Sequence, residues 1–319
     1  MHRETEDPKS TLCVTSRWSH HFSWIRILVF PVTVYLVIVL MMYWLQRSLI
    51  YLPQRQNRID VGDADLPTGQ AHDITVSTDD GLELRGWHLL PDGCSAADYQ
   101  ACDNELSKGR HLVLYFSGNG GNRRYRTREF GLLTGLNLDV FVFDYRGYGD
   151  NPGSPSQKKL AADARSIWNY ATQKRHVPPN RIIIYGESLG GGVATGLASE
   201  LCQSRIVPGG LILRSTFSSL VDAGKYHYPW LPVGWVLTDR FMSVDEIPQV
   251  TCPILQVHGT NDSIVPIEMG QRLFARAPEQ SSSGIAKRFV ELSGGGHNDV
   301  TLVAYDRFQQ EIRNFLKPP

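Results

Sequence analysis

Short apolar runs that alternate with helical stretches restrict the fold of this chain more than any other sequence feature. From about residue 71, the segments ITVS and LELRGWHLL flank a DDG turn and indicate an antiparallel hairpin. Further buried runs are predicted at 111–116, 139–144, 181–186, 211–214, 253–259 and 287–292, and helices at 156–174, 187–201, 266–277 and 299–316. Such alternation is typical of the α/β class, with a mostly parallel central sheet and helices on both faces.

One uncharged segment, Ile27 to Leu45, is long enough to cross a membrane as a helix. It reads ILVFPVTVYLVIVLMMYWL, and Arg26 and Arg47 flank it. At about 1.5 Å per residue its length approaches the ~30 Å of a bilayer's hydrocarbon core. The alternatives are a cleaved signal peptide and a buried core helix, but no cleavage pattern follows the segment and it has no polar face. The segment predicts one uncleaved transmembrane helix.

The predicted anchor divides the chain into four parts. Residues 1–26 form a polar N-terminal tail, 27–45 the anchor, 46–70 a linker and 71–319 a single domain. Basic residues are slightly more frequent before the anchor than after it, which favours a cytoplasmic N-terminus and places the 71–319 domain on the extracytoplasmic side. In that compartment Cys94 and Cys102, which share one polar loop, can form a disulfide; two free thiols are equally compatible with their spacing.

Composition excludes some classes of partner. Lys+Arg and Asp+Glu both number 32, so the formal net charge is zero. Binding to nucleic acid usually needs a basic excess, so we expect no nucleic-acid partner. The cysteine and histidine spacings give no zinc pattern, and we expect neither a metal nor an organic cofactor.

Ser188 is the candidate nucleophile. It is the central residue of Gly186-Glu187-Ser188-Leu189-Gly190, which follows the apolar run IIIY and precedes the helical stretch GGVATGLASEL. A serine on a sharp strand-to-helix turn projects its hydroxyl clear of the sheet, and glycine on both sides avoids collisions within that turn. The alternative is a glycine-rich turn with a passive serine, but the strand and helix on either side favour a nucleophile.

His297 is the candidate general base. A serine hydroxyl needs a positioned base near neutral pH, and in chains with this turn the order is serine, acid, histidine. His297 lies in the glycine-rich loop LSGGGHNDV after the last predicted strand. The rival, His258, sits within a strand end before any suitable acid.

Asp262 is the candidate acid that orients His297. It follows the strand ILQVHG by a short turn, where its carboxylate can accept a hydrogen bond from Nδ1–H of the imidazole. Asp222 and Asp299 are rivals, and Asp144 precedes the serine and breaks the order. Capping of the turn is the structural alternative for Asp262.

Two backbone N–H groups are candidate donors to the oxyanion of a tetrahedral intermediate. One belongs to Leu189, the residue after the nucleophile, and the other to Asn119 in the loop Ser117-Gly118-Asn119-Gly120-Gly121. The aromatic stretch after the strand 211–214 supplies Tyr226, Trp230 and Trp235 as candidate substrate contacts. A well-packed stretch without any ligand role is the alternative reading.

Taken in order, the motifs resemble the α/β-hydrolase superfamily, and within it the membrane-anchored α/β-hydrolase-domain proteins related to the yeast bud-emergence protein. The resemblance covers roughly residues 45 to 317. The blocks that carry it are FSGNGGN, FDYRGYGDNPGSPS, IIIYGESLGGGVA, STFSSLVDAGKYHYPWLPVGWVLTDRFMSVDEI, PILQVHGTNDSIVP and GGGHND. It implies a serine hydrolase that cleaves esters or thioesters, with a small cap at about 217–250 and a triad of Ser188, Asp262 and His297.

The chain departs from the family pattern at two places. The oxyanion loop usually begins with His-Gly, but this chain has Ser117-Gly118. The strand before the cap usually ends in an acidic residue, but here it ends in Arg214. Three functions stay open at this point: an esterase or thioesterase acting on a lipid-like acyl ester, a serine peptidase of the prolyl-oligopeptidase or aminopeptidase kind, and a catalytically silent module tethered to the bilayer.

Overall fold

The computed structural model describes residues 18–64 and 66–317, with side chains from residue 29 onward except residue 64. Residues 1–17 of the predicted polar tail therefore lie outside the described residues. The chain divides into two compact units, residues 1–44 and 45–319.

The first unit is helical where it is described. Helix α1 (Trp18–Ile50) begins before the predicted anchor and continues into the second unit. Within it, Val29–Ile50 has a mean hydropathy of 1.9 and is long and apolar enough to cross a membrane. Pro31 lies inside this helix and does not end it, as is known for prolines in apolar helices of spanning length.

In the described part of the second unit, eight strands form one central sheet: β2 (Ala71–Ser77), β3 (Glu83–Leu89), β4 (Leu112–Phe116), β6 (Asp139–Phe143), β7 (Ile182–Glu187), β8 (Gly210–Arg214), β9 (Ile254–Gly259) and β10 (Arg288–Leu292). A separate short pair consists of β1 (Leu52–Pro53) and β5 (Gly120–Gly121). The order of strands in the sheet is β10-β9-β8-β7-β4-β6-β3-β2. Strands β2 and β3 form the predicted antiparallel hairpin, β3 is antiparallel to β6, and the other neighbours are parallel.

Helices cover both faces of this sheet. They are α2 (Tyr99–Leu106), α3 (Thr127–Thr134), α4 (Gln157–Asn169), α5 (Leu189–Gln203), α6 (Leu220–His227), α7 (Val233–Val236), α8 (Ser243–Glu246), α9 (Ile267–Arg276), α10 (Val300–Val303) and α11 (Tyr305–Leu316). The three short helices α6 to α8 lie between β8 and β9, where a small cap is predicted.

Side chains of the central strands alternate between two hydrophobic layers. In β4, Leu112, Leu114 and Phe116 join one cluster, whereas Val113 and Tyr115 join the other. Strands buried on both faces read as continuous apolar runs, which is why they stand out in the sequence. The α/β fold with a mostly parallel sheet is confirmed.

The segment predicted as a linker is tied to the cap. The side chain of Gln46 accepts hydrogen bonds from the N–H and the hydroxyl of Thr238 at 2.8 and 2.9 Å. Asp239 is 3.2 Å from the guanidinium of Arg47 and accepts a 3.0 Å hydrogen bond from the hydroxyl of Tyr51. We name Gln46, Arg47, Tyr51, Thr238 and Asp239 the cap clasp. Polar residues of the predicted linker therefore make specific contacts with residues of the predicted cap.

Two local features differ from the sequence prediction. A polar stretch predicted as loop contains α2, whose first turn is capped by the Asp98 carboxylate accepting from the N–H of Ala101 at 2.9 Å. The helix predicted at 156–174 changes to a π-helical turn at Tyr170–Lys174.

The two cysteines whose pairing the sequence left open carry free thiols in the structure. Cys102 is buried and Cys94 is partly exposed.

Candidate active site

Ser188 lies on a strained turn between β7 and α5. Its φ is 51° and its ψ is −115°, a conformation that a non-glycine residue rarely adopts. A Cβ at Gly186 would lie 2.6 Å from the carbonyl oxygen of Gly190, and one at Gly190 would lie 2.0 Å from that of Phe116. Only glycine fits at either position, so the spacing of the motif follows from backbone contacts.

Arg214, the last residue of β8, and Thr216 hold this turn in place, and the sequence prediction gave neither of them this role. The N–H of Ser188 donates to the carbonyl oxygen of Arg214 at 2.9 Å. The hydroxyl of Thr216 donates to the carbonyl oxygen of Ser188 at 2.8 Å. Their position at the carboxyl end of the neighbouring strand is the signal that points to them.

The structure brings Ser188, His297 and Asp262 together from three separate loops. The Oγ of Ser188 is 2.9 Å from Nε2 of His297, and Oδ2 of Asp262 is 2.7 Å from Nδ1 of the same ring. An ionised carboxylate only accepts hydrogen bonds, so Nδ1 carries the hydrogen of the neutral ring. Nε2 is then left with a lone pair that accepts the hydroxyl proton of Ser188.

Asp262 is held by more partners than the sequence indicates. Its Oδ1 accepts from the N–H groups of Ile264 and Val265 at 3.0 and 2.8 Å. Its Oδ2 is also 3.4 Å from Nε2 of His258. Burial opposes ionisation, but the hydrogen bonds from His258 and His297 outweigh it, so the pKa of Asp262 lies well below its usual range. Asp262 is therefore ionised at neutral pH.

The rival residues have other contacts. His258 is fully buried, with Nε2 2.8 Å from the carbonyl oxygen of Val265, so it supports the Asp262 turn. Asp222 accepts from the hydroxyl of Ser218 at 2.6 Å, and Asp299 accepts from the N–H of Gly296 at 2.7 Å. Asp144 forms an ion pair with Arg123 at 2.7 Å.

The candidate oxyanion residues lie at the same edge of the sheet. Leu189 is the first residue of α5, where backbone N–H groups have no partner within the helix. Asn119 lies between β4 and β5, and its side chain donates to the carbonyl oxygen of Ile50 at 3.1 Å. The carbonyl oxygen of Ser117, which replaces the usual histidine, accepts from the hydroxyl of Tyr145 at 2.8 Å. Donation from the two N–H groups to an oxyanion stays a prediction.

The three candidate substrate contacts are surface residues of the cap. Tyr226, Trp230 and Trp235 are 55%, 53% and 93% exposed. Trp235 lines a surface cleft of about 510 Å³ together with Lys225, Pro229 and residues 231–234, none of which belongs to the serine site. Their contact with substrate also stays a prediction.

Fold and site together define the class of protein, a serine hydrolase. A family model of the α/β-hydrolase fold matches residues 111–236. An uncharacterized protein of Mycobacterium tuberculosis, Rv2307c, is 39% identical over 279 residues, which are 87% of this chain and 90% of that protein. The chain belongs to the α/β-hydrolase family.

Further relatives agree with this assignment. The lysophosphatidylserine lipase ABHD12 of Danio rerio is 29% identical over 269 residues, covering 78% of this chain and 70% of that protein. Among solved structures, the Pyrococcus furiosus esterase Pf2001 superposes with a TM-score of 0.60 at 16% identity, covering 84% of this chain and 97% of the esterase. An α/β hydrolase from Vibrio vulnificus gives a TM-score of 0.58 at 21% identity, with coverages of 82% and 95%. The structural likeness shows the fold, as the motifs predicted.

Proposed function

We propose that this chain is a membrane-anchored serine hydrolase that cleaves carboxylic esters or thioesters through an acyl-enzyme intermediate on Ser188. The observation that carries the proposal is the continuous line of contacts from Ser188 to Asp262. Oγ of Ser188 is 2.9 Å from Nε2 of His297, whose Nδ1 is 2.7 Å from Asp262. These are distances at which a proton can pass from the hydroxyl to the ring.

In the first half-reaction Ser188 becomes acylated. His297 accepts the hydroxyl proton on Nε2 as Oγ attacks the carbonyl carbon of the ester. The N–H groups of Leu189 and Asn119 donate to the resulting oxyanion, a contact that is typically worth about 2.7–4 kcal/mol for each donor. His297 then passes its proton to the departing alkoxide or thiolate, and the C–O or C–S bond breaks.

In the second half-reaction water releases the acyl group. His297 accepts a proton from the water, whose oxygen attacks the acyl carbon, and the same ring returns that proton to Oγ of Ser188. Asp262 remains ionised throughout and stabilises the imidazolium that forms in both steps.

We propose a lipid-like acyl ester as the substrate. The Danio rerio relative is named as a lysophosphatidylserine lipase, which supports this class. The apolar helix Val29–Ile50 supports anchoring next to a source of such lipids. The slight excess of basic residues before the anchor favours a domain outside the cytoplasm.

Covalent labelling tests the proposed nucleophile. A fluorophosphonate probe should label the full chain in detergent micelles, and Ser188→Ala should abolish the labelling. Ser199→Ala is a matched control, because Ser199 is also buried but lies further along α5. Absence of labelling in folded wild-type protein would support the silent module instead.

Turnover of model substrates tests the reaction class. Short p-nitrophenyl esters should be hydrolysed, whereas aminoacyl-naphthylamides should not; the opposite preference would support a peptidase. His297→Ala should lower kcat by about 10³-fold or more, because the ring transfers a proton in both half-reactions. A loss below about tenfold would show that the base is misassigned.

A further inference from the structure

The residue before the nucleophile, Glu187, is a charged side chain in the middle of the catalytic turn. Its carboxylate lies between two guanidinium groups: Oε1 is 2.9 Å from Arg214, and Oε2 is 3.1 Å from Arg126. Oε2 is also 2.6 Å from the hydroxyl of Tyr115. Burial opposes ionisation, but Arg214 and Arg126 outweigh it, so the pKa of Glu187 lies below its ordinary value.

Arg214, at the end of β8, is the most buried of these charges, with a side chain that is 2% exposed. Besides Glu187 it contacts Glu129 on α3, at 3.0 Å. Burial disfavours the guanidinium, but Glu129 and Glu187 outweigh it and raise the pKa of Arg214. We name Arg126, Glu129, Glu187 and Arg214 the charge cluster; its formal charges sum to zero.

The charge cluster reaches the loop that carries His297 at two points. Nη1 of Arg214 donates to the carbonyl oxygen of His297 over a long 3.4 Å. The hydroxyl of Thr301, on α10 just after this loop, donates to Oε1 of Glu129 at 2.9 Å. The carbonyl oxygen of His297 and the side chain of Thr301, four residues further along the chain, are therefore tied to the same charge cluster.

The charge cluster also reaches the candidate oxyanion loop. Nη2 of Arg126 donates to the carbonyl oxygen of Gly120 at 2.8 Å. A Cβ at Gly118 would lie 3.1 Å from Oε1 of Glu187, so this loop packs directly against the carboxylate. One charge cluster thus contacts all three segments that carry Ser188, His297 and the N–H of Asn119.

We propose that Arg214 is a positioning residue that, through the charge cluster, fixes the loop of His297 relative to Ser188. This inference rests on the function proposed above. A planar guanidinium suits the task because its donors point in fixed directions, so it can hold two carboxylates and a carbonyl oxygen at once. A misplacement of about 1 Å in a catalytic group can cost about 10²-fold in rate.

Two substitutions at Arg214 separate charge from geometry. Arg214→Met, which removes the charge, should lower kcat for a p-nitrophenyl ester by about 100-fold and leave KM within about twofold. Arg214→Lys keeps the charge but loses the planar set of donors. Its kcat should therefore be about tenfold higher than that of Arg214→Met and still below that of the wild type. The rate of fluorophosphonate labelling should fall in parallel.

A milder variant tests the same role if the Arg214 variants do not fold. Thr301→Val keeps side-chain volume and removes only the hydrogen bond to Glu129. It should lower kcat by about fivefold, the rate equivalent of one ordinary hydrogen bond, without changing KM.

Arg146→Lys is the matched control. Arg146 is likewise 2% exposed and likewise binds two carboxylates, but these belong to Asp163 on α4 and to Asp80 between β2 and β3 rather than to the three catalytic segments. It should lower Tm as much as Arg214→Lys does while kcat stays within about twofold of wild type.

The outcomes are distinct. Wild-type kcat in folded Arg214→Lys and Thr301→Val would overturn the positioning role, and so would an equal loss of kcat in Arg146→Lys. Either result would leave the nucleophile intact if Ser188 still reacts with the fluorophosphonate probe. Failure of wild-type protein to react would instead overturn the proposed function and the positioning role together.

Discussion

At the residue scale, the two oxygens of the Asp262 carboxylate have different partners. It accepts two backbone hydrogen bonds from its own turn, and it contacts His258 on one side and His297 on the other. The sequence left turn capping and orientation of His297 as alternative roles for this residue. The two roles are compatible, because each uses a different oxygen. Oδ1 caps the turn and Oδ2 faces the rings.

Asp262→Asn should lower kcat by about 10³–10⁴-fold with little change in size or solvent exposure. The amide NH₂ of asparagine can donate but not accept a hydrogen bond. It therefore favours the tautomer of His297 that carries its hydrogen on Nε2 instead of Nδ1. The measurement is kcat for a p-nitrophenyl ester in the full chain. Asp222→Asn, at the rival acid, is the control and should stay within about threefold of wild type. Equal losses in both variants would contradict the assignment of the acid.

At the element scale, the strand–turn–helix unit around Ser188 is recognisable from a short stretch of sequence. Strand β7 is a continuous apolar run, and a glycine stands two residues before and two residues after the serine. The contact that requires Gly186 lies within the same turn, whereas Gly190 is required by the backbone at the end of β4. The cap clasp has no such local pattern, because Tyr51 and Asp239, which it joins, are far apart in the chain.

Helix α8 of the cap carries a carboxyl group that titrates near neutrality. Burial, with a smaller contribution from Asp245, raises the pKa of Glu246 to about 7. Its folded-state pKa thus exceeds the unfolded value of about 4.3, and the folded chain holds more protons between these two values. The free energy of unfolding therefore falls as pH rises through this window, and the whole of this loss is present above pH 7.

Glu246→Gln should therefore raise Tm at pH 8 and leave it nearly unchanged at pH 4. Thermal unfolding of the full chain in detergent at the two pH values measures the difference. Glu83→Gln, at an exposed site on β3, is the control and should show no such pH-dependent gain. A gain of equal size at both pH values would contradict the titration of Glu246 and point to altered packing.

At the scale of the whole molecule, the apolar helix predicts how the chain is retained in membranes. Val37 and Leu40 are 59% and 58% exposed and lie near the middle of Val29–Ile50. An arginine near the centre of a spanning helix costs roughly 2.5–3.5 kcal/mol. The double substitution Val37→Arg and Leu40→Arg should therefore prevent insertion.

Alkaline carbonate extraction of membranes measures whether the chain is inserted in the bilayer. The wild-type chain should stay in the membrane pellet, and the double variant should move to the supernatant. Ile206→Arg, on the surface of the domain, controls for added charge and should remain in the pellet. Release of wild-type protein by carbonate would contradict the anchor.

The sequence by itself determined the α/β class, the turn at Ser188 and the apolar helix. It also pointed to Ser188, Asp262 and His297 as a candidate triad, because they follow the chain order serine, acid, histidine. These follow from periodicity, from the fixed spacing of glycines around a sharp turn and from the rule that parallel strands share a carboxyl edge.

Only the tertiary structure decided which side chains surround that edge. Arg214 was visible in the sequence as a departure from the family pattern, yet its partners Glu129 and Glu187 come from other elements. Thr216 and the cap clasp are likewise defined by contacts between distant segments. Local pattern carries no information on such pairs, because a charge or hydroxyl acquires its partner only when the strands and loops are brought together in the folded chain.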